Sequence, residues 1–132
     1  MKKSIKKNQS GIAALLTIVI VSAATLIMAY SASLLGLGEL ELGYTSQKGA
    51  EALSAADSCV EEALRRLRLD SNYSGGTLNV GNGSCIINII ANGNDRTIAT
   101  ESTIGEYHKK IEAQVALSGN VITINSWEEK ED

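Results

Sequence analysis

The sequence predicts an α+β chain in which one long N-terminal helix, half membrane span and half amphipathic, packs on a small antiparallel β-sheet meander. Three patterns predict it. An uncharged apolar run extends from Ile12 to Gly38; Leu53, Ala56, Val60, Leu64 and Leu67 recur at intervals of 3, 4, 4 and 3; and beyond Gly76 apolar and polar residues alternate with a period of two. The chain then divides into a leader at 1–11, a transmembrane helix at 12–38, an amphipathic helix at 39–70 and a sheet domain at 71–132. At 132 residues it has room for one small domain beside its N-terminal segment.

The leader carries Lys2, Lys3, Lys6 and Lys7 and no acid, and no charged residue occurs from Asn8 to Gly38. As a helix, the 27 residues from Ile12 to Gly38 are roughly 40 Å long at 1.5 Å per residue. The hydrocarbon layer is about 30 Å thick, so one span is expected. The basic leader holds the N-terminus in the cytoplasm, and everything after Glu39 faces outward.

No proline interrupts the helical phase that begins at Ile12. The helix should stop near Asp70, where Asp-Ser-Asn-Tyr-Ser-Gly-Gly favours turns. Glu51, Glu61, Glu62, Arg65, Arg66 and Arg68 lie off the apolar stripe, and Glu61–Arg65 and Glu62–Arg66 stand four apart with the acid first, the better order on a solvated face. Gly36, Gly38, Gly43 and Gly49 each cost up to about 1 kcal/mol relative to alanine, so a bend or local unwinding is expected among them.

Strands are expected at Thr77–Val80, Ser84–Ala91, Arg96–Ile104, Tyr107–Leu117 and Val121–Ser126, joined by polar turns rich in Gly and Asn. In the fourth, Tyr107, Ile111, Ala113, Val115 and Leu117 share one face, and His108, Lys110, Glu112 and Gln114 share the other. A sheet this small needs a second layer, and the helical stripe supplies it.

Cys59 flanks that stripe and Cys85 lies on the second strand, in the outward part where disulfides persist, so a bridge is expected. Two reduced, buried thiols are the alternative, and no C-x-x-C spacing suggests a redox pair. A loop of about 26 residues closed in this way stabilises by roughly 3 to 4 kcal/mol on the chain-entropy model. With no Phe and one Trp, the domain has use for it.

The remaining signals point away from chemistry. His108 is the single histidine, no spaced thiol set accompanies it, and no nucleophile elbow supports a Ser/His/Asp arrangement; neither a catalytic residue nor a metal or other cofactor is expected. Gly75, Gly76, Gly81 and Gly83 lead into a strand rather than a helix N-terminus, so they read as turn residues, not a phosphate loop. Lys109 and Lys110 beside Tyr107 and His108 form a small basic cluster. If the leader is removed after Gly11, 8 basic residues face 15 acids, a net of −7, which argues against DNA as a partner. Asn72-Tyr73-Ser74 and Asn82-Gly83-Ser84 match the glycosylation sequon, which arises often by chance, and Glu128–Asp132 reads as a solvated acidic tail.

The most specific feature is Lys6-Lys7-Asn8-Gln9-Ser10-Gly11 running directly into the apolar segment. A secretory signal is cut after its apolar stretch; a cut before it keeps the span in the mature protein. Here the chain resembles type IV pilins and their pseudopilin relatives, in which a prepilin peptidase cleaves after a glycine and methylates the new N-terminus. The resemblance implies cleavage between Gly11 and Ile12 and methylation of Ile12. Gly49-Ala50-Glu51-Ala52-Leu53-Ser54-Ala55-Ala56-Asp57 and Val60-Glu61-Glu62-Ala63-Leu64 are similar to the helix of PilX-type minor pilins, so the likeness covers roughly residues 6 to 69. It implies an inner-membrane, single-pass subunit that joins other pilin subunits through its N-terminal helix, by way of a pilus assembly platform, in a cell-surface filament. Leu16 departs from the pattern, since most major pilins carry a glutamate at this fifth mature position; the departure points to a minor or initiating subunit.

Three alternatives stand beside it: a pseudopilin of a type II secretion system, a static single-span anchor carrying an extracytoplasmic binding module, and a secreted protein cut near Ala32. The last would need a signal far longer than the usual apolar stretch of about 7 to 15 residues.

Overall fold

A computed structural model describes the backbone of residues 5–131 and the side chains of residues 10–131. The leader lysines at positions 2 and 3, and the side chains at 6 and 7, lie outside the described residues. Helix α1 covers Ile5–Leu69 and is followed by strands β1 (Gly75–Val80), β2 (Gly83–Asn92), β3 (Asp95–Ile104), β4 (Tyr107–Ser118) and β5 (Val121–Lys130). The architecture is the expected α+β one, a long N-terminal helix and a five-stranded antiparallel meander in the order β1-β2-β3-β4-β5. The chain separates into two compact units, Met1–Gly43 and Tyr44–Asp132.

The helix is already formed at Ile5, ahead of Ile12, and continues without interruption to Leu69, so the local unwinding expected at Gly36–Gly49 is absent. No side chain competes for the space around these glycines, and their backbone keeps the helical hydrogen bonds that a proline would have removed. At the C-terminal end the Asp70 N–H donates to the Arg66 carbonyl at 2.8 Å, and the Asp70 carboxylate then accepts from the Asn72 N–H at 2.9 Å, which turns the chain out of the helix.

In the second unit the helix buries Ala52, Ala55, Ala56, Cys59, Val60, Ala63 and Leu67. This face is rotated from the expected stripe, with Leu53 and Leu64 at its half-buried margins. Small side chains at the centre let the helix backbone approach the sheet, and Leu53 and Leu64, eleven positions apart and so nearly in line on the helix, pack along one side of them. Opposite them lie Cys85 and Ile87 of β2, Ile98, Thr100 and Ser102 of β3, and Ile111, Ala113 and Val115 of β4. The alternation expected for β4 is present, with those three side chains buried and His108 and Gln114 exposed.

All four hairpins use two-residue loops that begin with glycine: Gly81-Asn82, Gly93-Asn94, Gly105-Glu106 and Gly119-Asn120. The glycines take φ between 57 and 63°, while the second residue is never at positive φ, as in a II′ turn whose twist matches the strands. The strands are correspondingly longer than the sequence suggests. Gly75, Gly76 and Gly83 belong to strands and not to turns, and at Gly75 (φ 118°) a side chain would strike the Ile87 backbone on β2.

The largest correction concerns the C-terminus. Strand β5 does not end at Ser126: Trp127, Glu128, Glu129 and Lys130 pair with Ala113, Glu112, Ile111 and Lys110. The acidic tail is therefore mostly strand. Charged residues on an edge strand are compatible with one-sided pairing and guard the free edge, so their polarity did not signify a solvated coil. The register slips once, between Gln114 and Val115, where Asn125 is left over as a bulge.

Candidate functional site

The first functional element is the surface of the N-terminal unit. Ile12, Leu16 and Leu35 are 59%, 58% and 72% exposed, and every large apolar side chain from Ile12 to Leu42 stands open in the same way. Such a surface is unstable in water, and the helix is long and apolar enough to cross a membrane. Its hydroxyls do not oppose this. Thr17, Ser22, Thr25, Ser31 and Ser33 each donate to a carbonyl three or four residues back, at 2.7 to 2.9 Å, so none requires water. Ala13, Ala14, Ala23, Ala24, Ala29, Ala32 and Gly36 offer places where a second helix could approach closely.

Gly11 and Ile12 are both exposed and both helical, within α1. A side chain at Gly11 would meet nothing, so no packing within the chain calls for glycine there.

The second element is the attachment of sheet to helix. Cys59 and Cys85 are bonded, with Cα atoms 6.6 Å apart, and both are fully buried. Two buried hydroxyls on β3 join the same contact: Ser102 Oγ donates to the Ala52 carbonyl at 2.5 Å and Thr100 Oγ1 to the Ala56 carbonyl at 3.4 Å. These carbonyls already serve the helix, and the hydroxyls use their second lone pairs, so the polar atoms are satisfied in an otherwise apolar layer. At the margin Trp127 Nε1 of β5 donates to Asp57 Oδ1 at 3.2 Å. The cysteines were visible in the sequence. Ser102 and Thr100 were not, because an alternating strand can carry a hydroxyl on its inner face only where a helix carbonyl happens to lie opposite.

On the solvated side of the helix Glu62 accepts from Arg65 (2.7 and 2.8 Å) and Arg66 (2.8 Å) together. The expected Glu61–Arg65 pair gives way to this fork. Hydrogen bonds from the two guanidinium groups hold the Glu62 carboxyl well below its ordinary value, at about 2. Arg66 also lies 5.5 Å from the Tyr73 ring centroid, which ties the helix end to the following turn.

Lys109 and Lys110 do not form a basic patch. They point to opposite faces of β4, and Lys109 pairs with Glu129 of β5. His108 lies against Thr103 Oγ1 (3.0 Å), with a Glu101 oxygen at 4.0 Å. Among the described residues no three His, Cys, Asp or Glu side chains gather in a way that could hold a metal ion. No family model matches the chain, and neither a curated protein nor a solved structure matches it.

Proposed function

We propose that the chain is a minor type IV pilin-like structural subunit. It is inserted in the inner membrane through residues 12–38 with its N-terminus in the cytoplasm, cut by a prepilin peptidase between Gly11 and Ile12, methylated on Ile12, and assembled through that helix with other pilin subunits into a cell-surface filament. The observation that carries this reading is the uncharged helix surface that begins immediately after Gly11 and is exposed along its whole length. A span that leaves lipid must bury those side chains elsewhere, and equivalent helices of neighbouring subunits offer a dry alternative.

Leu16 fits a minor subunit. A leucine adds no charge to the helix surface, so incorporation does not depend on a partner charge being present in a dry core. A pseudopilin of a secretion system would use the same helix in the same way.

N-terminal mass spectrometry tests the proposal. A mature chain that begins at methylated Ile12, recovered from sheared filaments, is the expected result. Intact residues 1 to 11 on a protein confined to the membrane fraction would sink it in favour of a static anchor carrying a binding module.

A further inference from the structure

The two edges of the sheet differ in how they are protected. Strand β5 carries Glu128, Glu129 and Lys130, whereas β1 on the opposite edge has no charged residue and no proline, and among the described residues it pairs with β2 alone. An open edge without such residues is a template for pairing with other chains, and folded proteins cover or guard it. A glycosylation sequon stands at each end of this strand, Asn72-Tyr73-Ser74 before it and Asn82-Gly83-Ser84 after it.

Local structure separates the two. Asn72 and Ser74 are exposed and lie outside helix and strand. Among the described residues neither the Asn72 side-chain amide nor the Ser74 hydroxyl is engaged in a hydrogen bond. Their backbone is tied down lightly. The Asn72 N–H donates to the Asp70 carboxylate at 2.9 Å, the Tyr73 N–H to the Asp70 carbonyl at 3.1 Å, and the Ile89 N–H to the Ser74 carbonyl at 3.1 Å. The second sequon is built into the sheet. Gly83 and Ser84 belong to β2, and the half-buried Ser84 pairs with Asn79 of β1 on one side and Thr103 of β3 on the other. A transferase must draw the acceptor amide and the hydroxyl two residues on into its own site together, so it favours a segment that opens at low cost. Residues 72–74 can open alone; residues 82–84 would take two strand ladders with them.

We propose that Asn72 is an N-glycosylation site whose donor is a lipid-linked diphosphate oligosaccharide. In the transfer Asn72 Nδ2 bonds to the anomeric carbon of the first sugar as the bond from that carbon to the diphosphate oxygen breaks. The lipid diphosphate leaves, and the amide nitrogen gives up one proton to a base of the transferase. The product sets a bulky, hydrated chain beside the start of the unguarded strand β1. The inference rests on the outward placement of the second unit in the proposed function, which the Cys59–Cys85 bridge also favours, and not on leader cleavage or filament assembly.

The test is glycopeptide mass spectrometry of the full chain isolated from its own cells, with the disulfide mapped on the same sample. Fragmentation should leave the first sugar on Asn72 and none on Asn82. Ser74→Ala, which keeps the acceptor and removes the sequon at an exposed position, should abolish the added mass, and Asn82→Gln should leave it unchanged. A bare Asn72 in protein whose Cys59–Cys85 bridge is intact, a sugar on Asn82 instead, or a sugar that persists in Ser74→Ala would each overturn the assignment. Free thiols together with a bare Asn72 would overturn it as well, by removing the outward placement on which it rests.

Discussion

Among single residues Glu62 has the most direct consequence. Its carboxyl titrates at about 2 in the folded chain against an ordinary 4.5, because two guanidinium groups donate to it. A depressed carboxylate contributes stability that is complete above the ordinary value and lost as pH falls through the folded one. The unfolding midpoint of Glu62→Gln should therefore lie below that of the unsubstituted protein at pH 7, with the difference shrinking below pH 4.5 and vanishing near pH 2. Added salt should reduce the difference at pH 7, since the groups are exposed to solvent. Ser102 works in a buried setting. Ser102→Ala removes the donor to the Ala52 carbonyl and should lower stability by about 0.5 to 1.5 kcal/mol, measured by denaturant titration with Trp127 fluorescence as the probe. Glu62 was legible in the sequence as one half of an i,i+4 pair. That it would hold Arg65 as well was not, because a three-residue spacing serves the shorter reach equally well and the choice depends on rotamers.

For the secondary-structure elements, the decisive feature is the row of small residues on α1 that faces the sheet. Ala52, Ala56 and Ala63 are fully buried, whereas of the three leucines expected in the stripe only Leu67 is, and Leu53 and Leu64 stand at its edge. Periodicity located the face to within about one residue's rotation; it favoured the bulky side chains, whereas close approach of a helix to a sheet favours the smallest ones at the centre. Ala56→Leu should accordingly destabilise the domain by about 1 to 3 kcal/mol through overpacking, and Leu53→Ala should cost less than a fully buried leucine normally does. Chemical denaturation of both variants checks the order. The strands were legible almost to the residue where glycine-initiated loops bound them, since Gly-X in a two-residue hairpin leaves few alternatives. The last strand was not. Glu128, Glu129 and Lys130 look like a tail, and only the register against Lys110–Glu112 shows them as an edge.

Over the whole chain, the division into an apolar helix surface and a disulfide-held α+β unit was written in the sequence as a change of period and the loss of charge between Asn8 and Gly38. Among the described residues nothing covers this helix surface, which is long and apolar enough to cross a membrane. Ile20→Arg replaces a residue that favours insertion with one that opposes it by about 2.5 to 3.5 kcal/mol at a span centre. In an in-vitro insertion assay the variant should show a reduced inserted fraction, and alkaline extraction should release the uninserted remainder.

The disulfide also sets how the chain would respond to being pulled. Cys59 and Cys85 are 26 positions apart, and the intervening chain holds the last turns of α1, the Asp70 turn and the whole of β1. Tension applied at the N-terminus and resisted at the C-terminus passes through the sulfur bridge and bypasses that loop. The short edge strand β1 is thus off the load path, and the force falls on β2 and the strands beyond it. In single-molecule extension the oxidised chain should come out shorter than the reduced one by about 26 residues' worth of contour, roughly 90 Å.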